Sequence, residues 1–265
     1  MNCSRGVLEF MDLTRESLIR GVVILLFFSL AGCASITPLG RDDKQVEYHY
    51  QMGVSYLAEN NVTGALVELT QAERLAPERT DVLYYLGLAY FRRGKYELAA
   101  EKFSRAILLK PDFSTARNEL AVTYLEMKRW DDAISQLKLV LDDIFFPAQE
   151  AATVNLGLAY FGKGDFSRAL EIFRKYVVEN PSDPRGHLHL GRVYLATDRL
   201  DTALSSFDRA ISLAPDYGMA HYQRALTLMK QGKIDEAKGS FAEVIRLIPD
   251  SEIGQLSREH LDILK

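Results

Sequence analysis

Small residues recur along the chain at a spacing of 34 residues, with one shift of two residues in the middle. They stand at Gly53, Gly87, Ala121, Gly157, Gly191 and Ala225. An alanine follows each of them twelve residues later, at Ala65, Ala99, Ala133, Ala169, Ala203 and Ala237. Two small positions in each unit allow two helices to approach closely, so each unit is predicted to form a helical hairpin. One hairpin cannot bury its apolar face alone, and the stacking of neighbours is therefore predicted to make the core.

Larger residues and helix breakers keep the same spacing. A tyrosine follows the first small residue by three, at Tyr56, Tyr90, Tyr124, Tyr160 and Tyr194, and Leu228 replaces it in the sixth unit. Bulky residues follow the alanine by four, at Leu69, Phe103, Leu137, Phe173, Phe207 and Phe241. Prolines, which cannot continue a helix, close five units at Pro77, Pro111, Pro181, Pro215 and Pro249. Gly94, Gly164 and Gly232 are predicted to make the turn inside a hairpin, where a left-handed backbone favours glycine.

This pattern resembles the tetratricopeptide repeat. The resemblance implies an all-α fold, a solenoid of six helical hairpins followed by a C-terminal capping helix. The six repeats, which together span 46–251, are predicted at 46–79, 80–113, 114–147, 150–183, 184–217 and 218–251. The capping helix is predicted at 252–265, where Ile253, Leu256, Leu261 and Leu264 are spaced to cover the last hairpin.

The N-terminal segment has the pattern of a secretion signal. Its apolar run at 22–30 follows Arg15 and Arg20, and it is too short for a membrane span, which needs about 20 apolar residues. The sequence Leu30-Ala31-Gly32-Cys33 resembles the lipobox of bacterial lipoproteins. That resemblance implies cleavage before Cys33 and acylation of its sulfur, as by palmitate. Both Met1 and Met11 fit as the start of this signal.

A lipoprotein of this kind has three parts before its repeats. Residues 1–32 are predicted to be the signal peptide, and residues 33–45 are predicted to be the lipidated cysteine and a short spacer. An aspartate directly after the lipidated cysteine would resemble an inner-membrane retention signal, but this position is occupied by Ala34. The protein is therefore predicted to be lipid-anchored in the outer membrane and to face the periplasm.

Composition and motifs argue against several classes of function. The chain has 32 Lys and Arg against 36 Asp and Glu, a net charge of −4, which leaves no basic excess for nucleic acid. His49, His187 and His221 each occupy the fourth position of a repeat, where they are predicted to pack in the core. The sequence has no complete zinc-protease spacing, P-loop or nucleophile elbow. We predict that the protein is not an enzyme and takes no cofactor, metal or small-molecule substrate.

The first helices are predicted to line the concave face with positions five, nine and twelve of each repeat. All of these positions except Asn118 and Arg192 carry apolar or aromatic residues, which suits an amphipathic or apolar peptide. The predicted partner-binding residues are Tyr50, Val54, Tyr84, Leu88, Phe91, Val122, Val154, Leu158, Phe161, Leu188, Tyr222 and Leu226. In the alternative interpretation, roughly half of these residues belong to the core.

The interval between the third and fourth repeats departs from the pattern. Phe145 stands at the expected proline, Pro147 follows it, and two residues are added. Val140 replaces the usual alanine, so the second helix of repeat three is predicted to end differently. This interruption and the following Asn155-Leu156-Gly157-Leu158 resemble the PilF/PilW pilotins, six-repeat outer-membrane lipoproteins of type IV pilus biogenesis.

The pilotin resemblance implies a function. By this resemblance, the protein is expected to be a non-catalytic periplasmic adaptor that is tethered to the membrane through the lipid on Cys33. The adaptor is expected to help an outer-membrane secretin to assemble or localise. The alternative is an adaptor for murein enzymes or for outer-membrane protein assembly. Both hypotheses require a protein partner.

Overall fold

Thirteen helices make up residues 41–264, the part of the chain that the computed structural model describes, and this part contains no strand. The predicted signal peptide at 1–32, the lipidation site Cys33 and the spacer up to residue 40 lie outside the described residues. The first helix begins at Arg41, ahead of the predicted start of the first repeat at residue 46.

The helices alternate between two roles along the chain. The first helices of the hairpins are α1 (Arg41–Ala58), α3 (Thr80–Arg92), α5 (Ser114–Glu126), α7 (Gln149–Lys163), α9 (Pro184–Ala196) and α11 (Gly218–Lys230). The second helices are α2 (Val62–Leu75), α4 (Tyr96–Leu109), α6 (Trp130–Leu141), α8 (Phe166–Glu179), α10 (Leu200–Leu213) and α12 (Ile234–Leu247). The last helix is α13 (Glu252–Ile263). The fold is therefore the predicted all-α solenoid of six hairpins with a C-terminal capping helix.

The small residues allow the two helices of a hairpin to meet. In repeat four, a Cβ atom added to Gly157 would lie 2.5 Å from the ring of Phe173, too close for any side chain. Gly87 meets Phe103 and Gly191 meets Phe207 in the same way. All three phenylalanines are almost completely buried, as is Ala169. The glycine is thus required because the phenylalanine ring occupies the space that its side chain would need.

The turn inside each hairpin uses a left-handed residue. Gly94, Gly164 and Gly232 have φ angles of 72°, 83° and 76°, as predicted. The remaining three repeats place a residue other than glycine in this conformation, and these residues are Asn60, Lys128 and Asp198. Asparagine and aspartate tolerate the left-handed region better than most side chains. The turn geometry is therefore common to all six hairpins, although the glycine is not.

The interruption shortens α6 and builds a bridge to the fourth repeat. Helix α6 has 12 residues, whereas each of the other second helices has 14, which confirms that it ends differently. Phe146 is buried in the core, while the neighbouring Phe145 is 87% exposed. Asp143 accepts a hydrogen bond from the hydroxyl of Ser114 at 2.6 Å, which holds the bridge to α5. The interruption thus places one of its two aromatic side chains, that of Phe146, in the core of the stack.

The first helices lie on the inner side of the stack. Helices α3, α5, α7 and α9 each contact the first helix of the next repeat, and α11 contacts α13. Among the described residues, no two second helices make such a contact. The stack therefore curves around its first helices. Helix α13 closes it, because His260 stacks on Phe241 with ring centroids 4.8 Å apart.

Candidate partner-binding groove

Positions five, nine and twelve of the first helices form the surface that we call the inner face. Position five is a core position in three of the six repeats. Val154 and Leu188 are 6% and 3% exposed, and Asn118 at the equivalent position is also buried. The prediction that Val154 and Leu188 contact a partner is therefore corrected, because their short side chains end below the surface.

The other ten predicted partner-binding residues are partly exposed. They are Tyr50, Val54, Tyr84, Leu88, Phe91, Val122, Leu158, Phe161, Tyr222 and Leu226. At position five only tyrosine keeps part of its side chain at the surface, because the longer ring extends beyond the buried base. The inner face thus presents a row of partly exposed apolar and aromatic groups on successive first helices.

Repeats one and two supply an aromatic end of the inner face. The rings of Tyr50 and Tyr85 meet edge to face at 5.6 Å, and the guanidinium of Arg79 lies 4.6 Å from the centroid of Tyr50. Tyr84 packs against Phe113, with ring centroids 5.2 Å apart. Burial raises the pKa of both Tyr50 and Tyr84 to about 12, so these phenols are neutral hydrogen-bonding groups.

Repeat three introduces polar groups beside this aromatic end. The amide nitrogen of Asn118 donates to Glu119 Oε1 at 3.3 Å, while Asn118 Oδ1 has no hydrogen-bond partner among the described residues. Burial raises the pKa of Glu119, and the hydrogen bond from Asn118 opposes that shift. The two side chains therefore belong to the polar edge of the core.

Repeats four and five contribute the charged part of the inner face. The guanidinium carbon of Arg192 lies 5.1 Å from the ring centroid of Phe161, and Arg192 Nη1 lies 3.5 Å from His189 Nδ1. Burial lowers the pKa of Arg192. Phe161 also contacts Phe166 at 5.5 Å between centroids. Arg192 is itself an inner-face residue, at position nine of repeat five, whereas Arg79 is the last residue of repeat one and lies outside the inner-face positions.

Repeat six and the capping helix form the C-terminal end of the inner face. Tyr222 packs against Phe241 at 5.9 Å and against His260 at 6.2 Å between ring centroids. Burial raises the pKa of Tyr222. His260 lies two turns into α13 and faces the same cluster, but the repeat pattern gives no signal for it because α13 lies outside the six repeats.

The histidines are placed differently from the prediction. His49, His187 and His221 are only partly buried, and His49 Nδ1 lies 2.6 Å from Glu68 Oε2. The buried histidine is His189, which stacks on Phe173 with ring centroids 5.0 Å apart. Burial, with the positive charges of Arg192 and Arg185, lowers the pKa of His189 to about 4. The expectation that the fourth-position histidines are core residues is therefore wrong, because each of them keeps a solvated edge.

Neither a metal-binding cluster nor a membrane-spanning helix occurs among the described residues. Residues 41–264 hold no group of three or more His, Cys, Asp or Glu placed to bind a metal ion. No helix in this range combines the length and the apolar character needed to cross a membrane.

Family models identify the repeats directly. Models of the tetratricopeptide repeat match residues 50–112 and 154–218, residues 90–154 and residues 219–251. Together these matches cover most of the chain and all six hairpins. The chain therefore belongs to the tetratricopeptide-repeat family.

Individual proteins match the chain at low sequence identity. The chain is similar to the type IV pilus assembly protein PilF of Pseudomonas aeruginosa, with 26% identity over 62% of this chain and 67% of PilF. It also matches Superkiller protein 3 of Schizosaccharomyces pombe at 31% identity, over 52% of this chain but only 10% of that protein. The resemblance to a type IV pilus protein is thus present in the sequence itself.

Solved structures share the fold. The structure of Pseudomonas aeruginosa PilF superposes with a TM-score of 0.62 and 21% identity, covering 82% of this chain and 98% of PilF. PilW, a widely conserved type IV pilus biogenesis factor, gives a TM-score of 0.69 and 18% identity, covering 80% of this chain and 97% of PilW. The protein is a tetratricopeptide-repeat protein related to these pilus factors, which supports an adaptor role.

Proposed function

We propose that the protein is a non-catalytic adaptor, anchored by a lipid on Cys33 to the outer membrane, that holds a peptide segment of a type IV pilus secretin on its inner face. The observation that carries this proposal is the row of partly exposed apolar residues on successive first helices. A contiguous apolar surface of this kind is typical of a site for a protein partner. The relationship to PilF and PilW supports the choice of pilus assembly as the process.

Tethering supplies the mechanism. A lipid confines the adaptor to one leaflet, so that the inner face and a secretin subunit meet at a raised effective concentration. Several acyl chains on one cysteine give stable anchoring, at about 0.8 kcal/mol for each buried CH₂ group. The buried core described for the stack is made of side chains from Val46 onward, so we expect it to fold without the lipid. Location and folding are therefore separable properties of this protein.

The anchor is tested by Cys33→Ser. We expect the variant to leave the outer-membrane fraction while its circular dichroism spectrum stays helical, because the change removes only the lipid. A Cys33→Ser protein that remains in the outer membrane would contradict lipid anchoring.

The inner face is tested by Leu88→Ala combined with Leu158→Ala, both at position nine. These residues are better probes than Tyr84, which packs on Phe113. The matched control is Leu108→Ala with Val178→Ala, since both are 80% exposed on the second helices of the same repeats. We expect the inner-face variant to lose secretin after crosslinking in cells, and the control to retain it. Thermal melts of both variants measure any loss of folding.

Each outcome of this capture decides between hypotheses. Mass spectrometry of the crosslinked material identifies a secretin, or instead a murein enzyme or an outer-membrane assembly factor. A stably folded inner-face variant that captures the same partner as wild type would remove the inner face from the mechanism.

A further inference from the structure

Arg192 is the one charged residue at positions five, nine and twelve of the six repeats. It sits on α9 at position nine, between the aromatic ring of Phe161 and the imidazole of His189. The equivalent residues of the neighbouring first helices are Leu158 and Leu226. A cation therefore stands where the other five repeats place a leucine or a valine.

The charge of Arg192 is not balanced by this chain. Among the described side chains, no carboxylate lies within ion-pair distance of Arg192, whose one polar contact is with His189. The nearest arginine on the same helix, Arg185, is fully engaged, because its Nη2 donates to Asp183 Oδ2 at 2.6 Å. Asp183 is therefore already committed to a different cation.

The neighbours of Arg192 also carry no negative charge. His189 is buried and neutral at physiological pH, and the phenol of Tyr217 is neutral because burial raises its pKa. Phe161 offers only the negative face of its ring, a weak attraction compared with a carboxylate. These contacts orient the guanidinium without neutralising it.

A guanidinium in this setting has unused binding capacity. Its side chain has five N–H donors, and among the described residues only one of them has a partner, the long contact to His189. An apolar partner that covered Arg192 would remove water from the charge, which is costly unless a counter-charge arrives with it. The planar fork of arginine matches a carboxylate better than any other common group in peptides.

We infer that Arg192 binds a carboxylate of the peptide that occupies the inner face, so that the partner segment is an apolar stretch containing one acidic group. This inference rests on the proposed function of the inner face. The acidic group is the side chain of an aspartate or glutamate or the C-terminal carboxylate of the partner, since all three present the same pair of oxygens. Because the other inner-face positions are uncharged, this one contact fixes the register and direction of the peptide.

The experiment uses the full chain, solubilised in detergent, and a phage-displayed library of random 12-residue peptides. Selected sequences are synthesised with the acidic residue intact or changed to its amide, and with a free or an amidated C-terminus. Fluorescence polarisation then measures the affinity of each peptide for wild type, Arg192→Gln and Arg192→Lys. The control variant is Arg168→Gln, because Arg168 also stacks on an aromatic ring, at 5.4 Å from the centroid of Tyr160, but lies on α8 outside the inner face.

We expect the wild type to prefer the acidic peptide by about tenfold or more, as is usual for a hydrogen bond between charged groups. Arg192→Gln should bind acidic and amide peptides equally, Arg192→Lys should keep part of the preference, and Arg168→Gln should behave as wild type. The pair of peptides that shows the preference identifies the carboxylate as internal or C-terminal.

Two results overturn the inference and are distinguishable from each other. If peptides bind and Leu158→Ala weakens them, but Arg192→Gln leaves the acid preference unchanged or no preference exists, Arg192 is not the anchor while the inner face still binds. If no peptide is selected, or Leu158→Ala has no effect on the selected ones, the proposed function of the inner face fails as well. A lower melting temperature of Arg192→Gln with unchanged acid preference would assign Arg192 a packing role alone.

Discussion

The interior of a hairpin and the inner face are built from the same first helices, yet they obey different constraints. Gly157 and Leu158 are adjacent in α7, but Gly157 is buried against Phe173 and Leu158 keeps part of its surface exposed. The interior repeats almost unchanged because a ring on one helix requires a gap on the other. The inner face varies, because two of its positions carry the polar residues Asn118 and Arg192 in place of apolar ones. Steric fit therefore preserves the fold, and the inner face is free to change with the partner.

The largest effect should come from the interior. We expect Phe173→Ala to lower the free energy of unfolding by about 3–5 kcal/mol, because it removes a buried ring and leaves a cavity between two helices. Leu158→Ala should cost clearly less, since part of Leu158 is already hydrated in the folded state. Urea unfolding followed by circular dichroism measures both. Equal losses for the two variants would mean that the inner face is core and not a binding surface.

Between the two regions lies His189, which stacks on Phe173 and contacts Arg192. Its pKa is about 4 in the fold, and near 6.5 in an unfolded chain, so the unfolded state takes up the proton first as the pH falls. His189 therefore contributes full stability above about pH 6.5, and this contribution is lost as the pH falls towards 4. The loss should be on the order of 3 kcal/mol.

Comparison of wild type with His189→Asn tests this titration. Unfolding free energies at pH 7 and pH 4.5 should differ more in wild type than in the variant, because the variant has no imidazole to protonate. The difference between the two pH values cancels the general cost of the substitution. An unchanged pH dependence in His189→Asn would show that the histidine titrates normally and that the interface between repeats four and five is open to water.

Much of the interior could be predicted from sequence, and the inner face only in part. A spacing of 34 residues with glycine opposite phenylalanine defines a hairpin by local chemistry alone, so the six hairpins and the turns at Gly94, Gly164 and Gly232 followed from it. Exposure on the inner face depends on how closely neighbouring first helices approach, which no local pattern records. For this reason, the burial of Val154 and Leu188 could not be predicted from their positions in the repeat.

Three other features, namely the charged residue of the inner face, the buried histidine and the buried phenylalanine of the interruption, differ in how far the sequence indicates them. Arg192 breaks the apolar series at position nine and is the feature that sequence could have selected for the groove. His189 stood beside His187 with nothing to show which of the two is buried, because that depends on Phe173 in the preceding repeat. The interruption showed where α6 ends differently, but the burial of Phe146 rather than Phe145 required the three-dimensional structure.

Two glycines in helices sharpen the comparison further. Gly157→Ala should destabilise the protein by about 1–3 kcal/mol, because the new methyl group would lie 2.5 Å from the ring of Phe173. Gly239→Ala in α12 should instead stabilise it by about 1 kcal/mol, since nothing lies within 4 Å of the added carbon and alanine favours the helix. Chemical denaturation of both variants measures the difference. The same sign of change in both would contradict the steric reason for glycine at the small position.

The smallest effect is expected at Glu119, on the polar edge of the core in repeat three. Burial raises the pKa of this carboxyl group in the fold, so the ionised form is less favourable in the folded than in the unfolded chain. The resulting penalty is absent below the unfolded pKa, grows as the pH rises from the unfolded to the folded pKa, and is complete above the folded pKa. Glu119→Gln removes the charge and keeps an oxygen that can accept a hydrogen bond from Asn118.

We therefore expect Glu119→Gln to melt at a higher temperature than wild type at pH 7. This difference in melting temperature should close as the pH falls below about 4.3, the ordinary pKa of glutamate. Glu126→Gln, an exposed change on the same helix, is the matched control and should leave the melting temperature unchanged at both pH values. A Glu119→Gln variant that is less stable than wild type at pH 7 would show instead that the folded protein stabilises the carboxylate in place, on the polar edge of the core in repeat three.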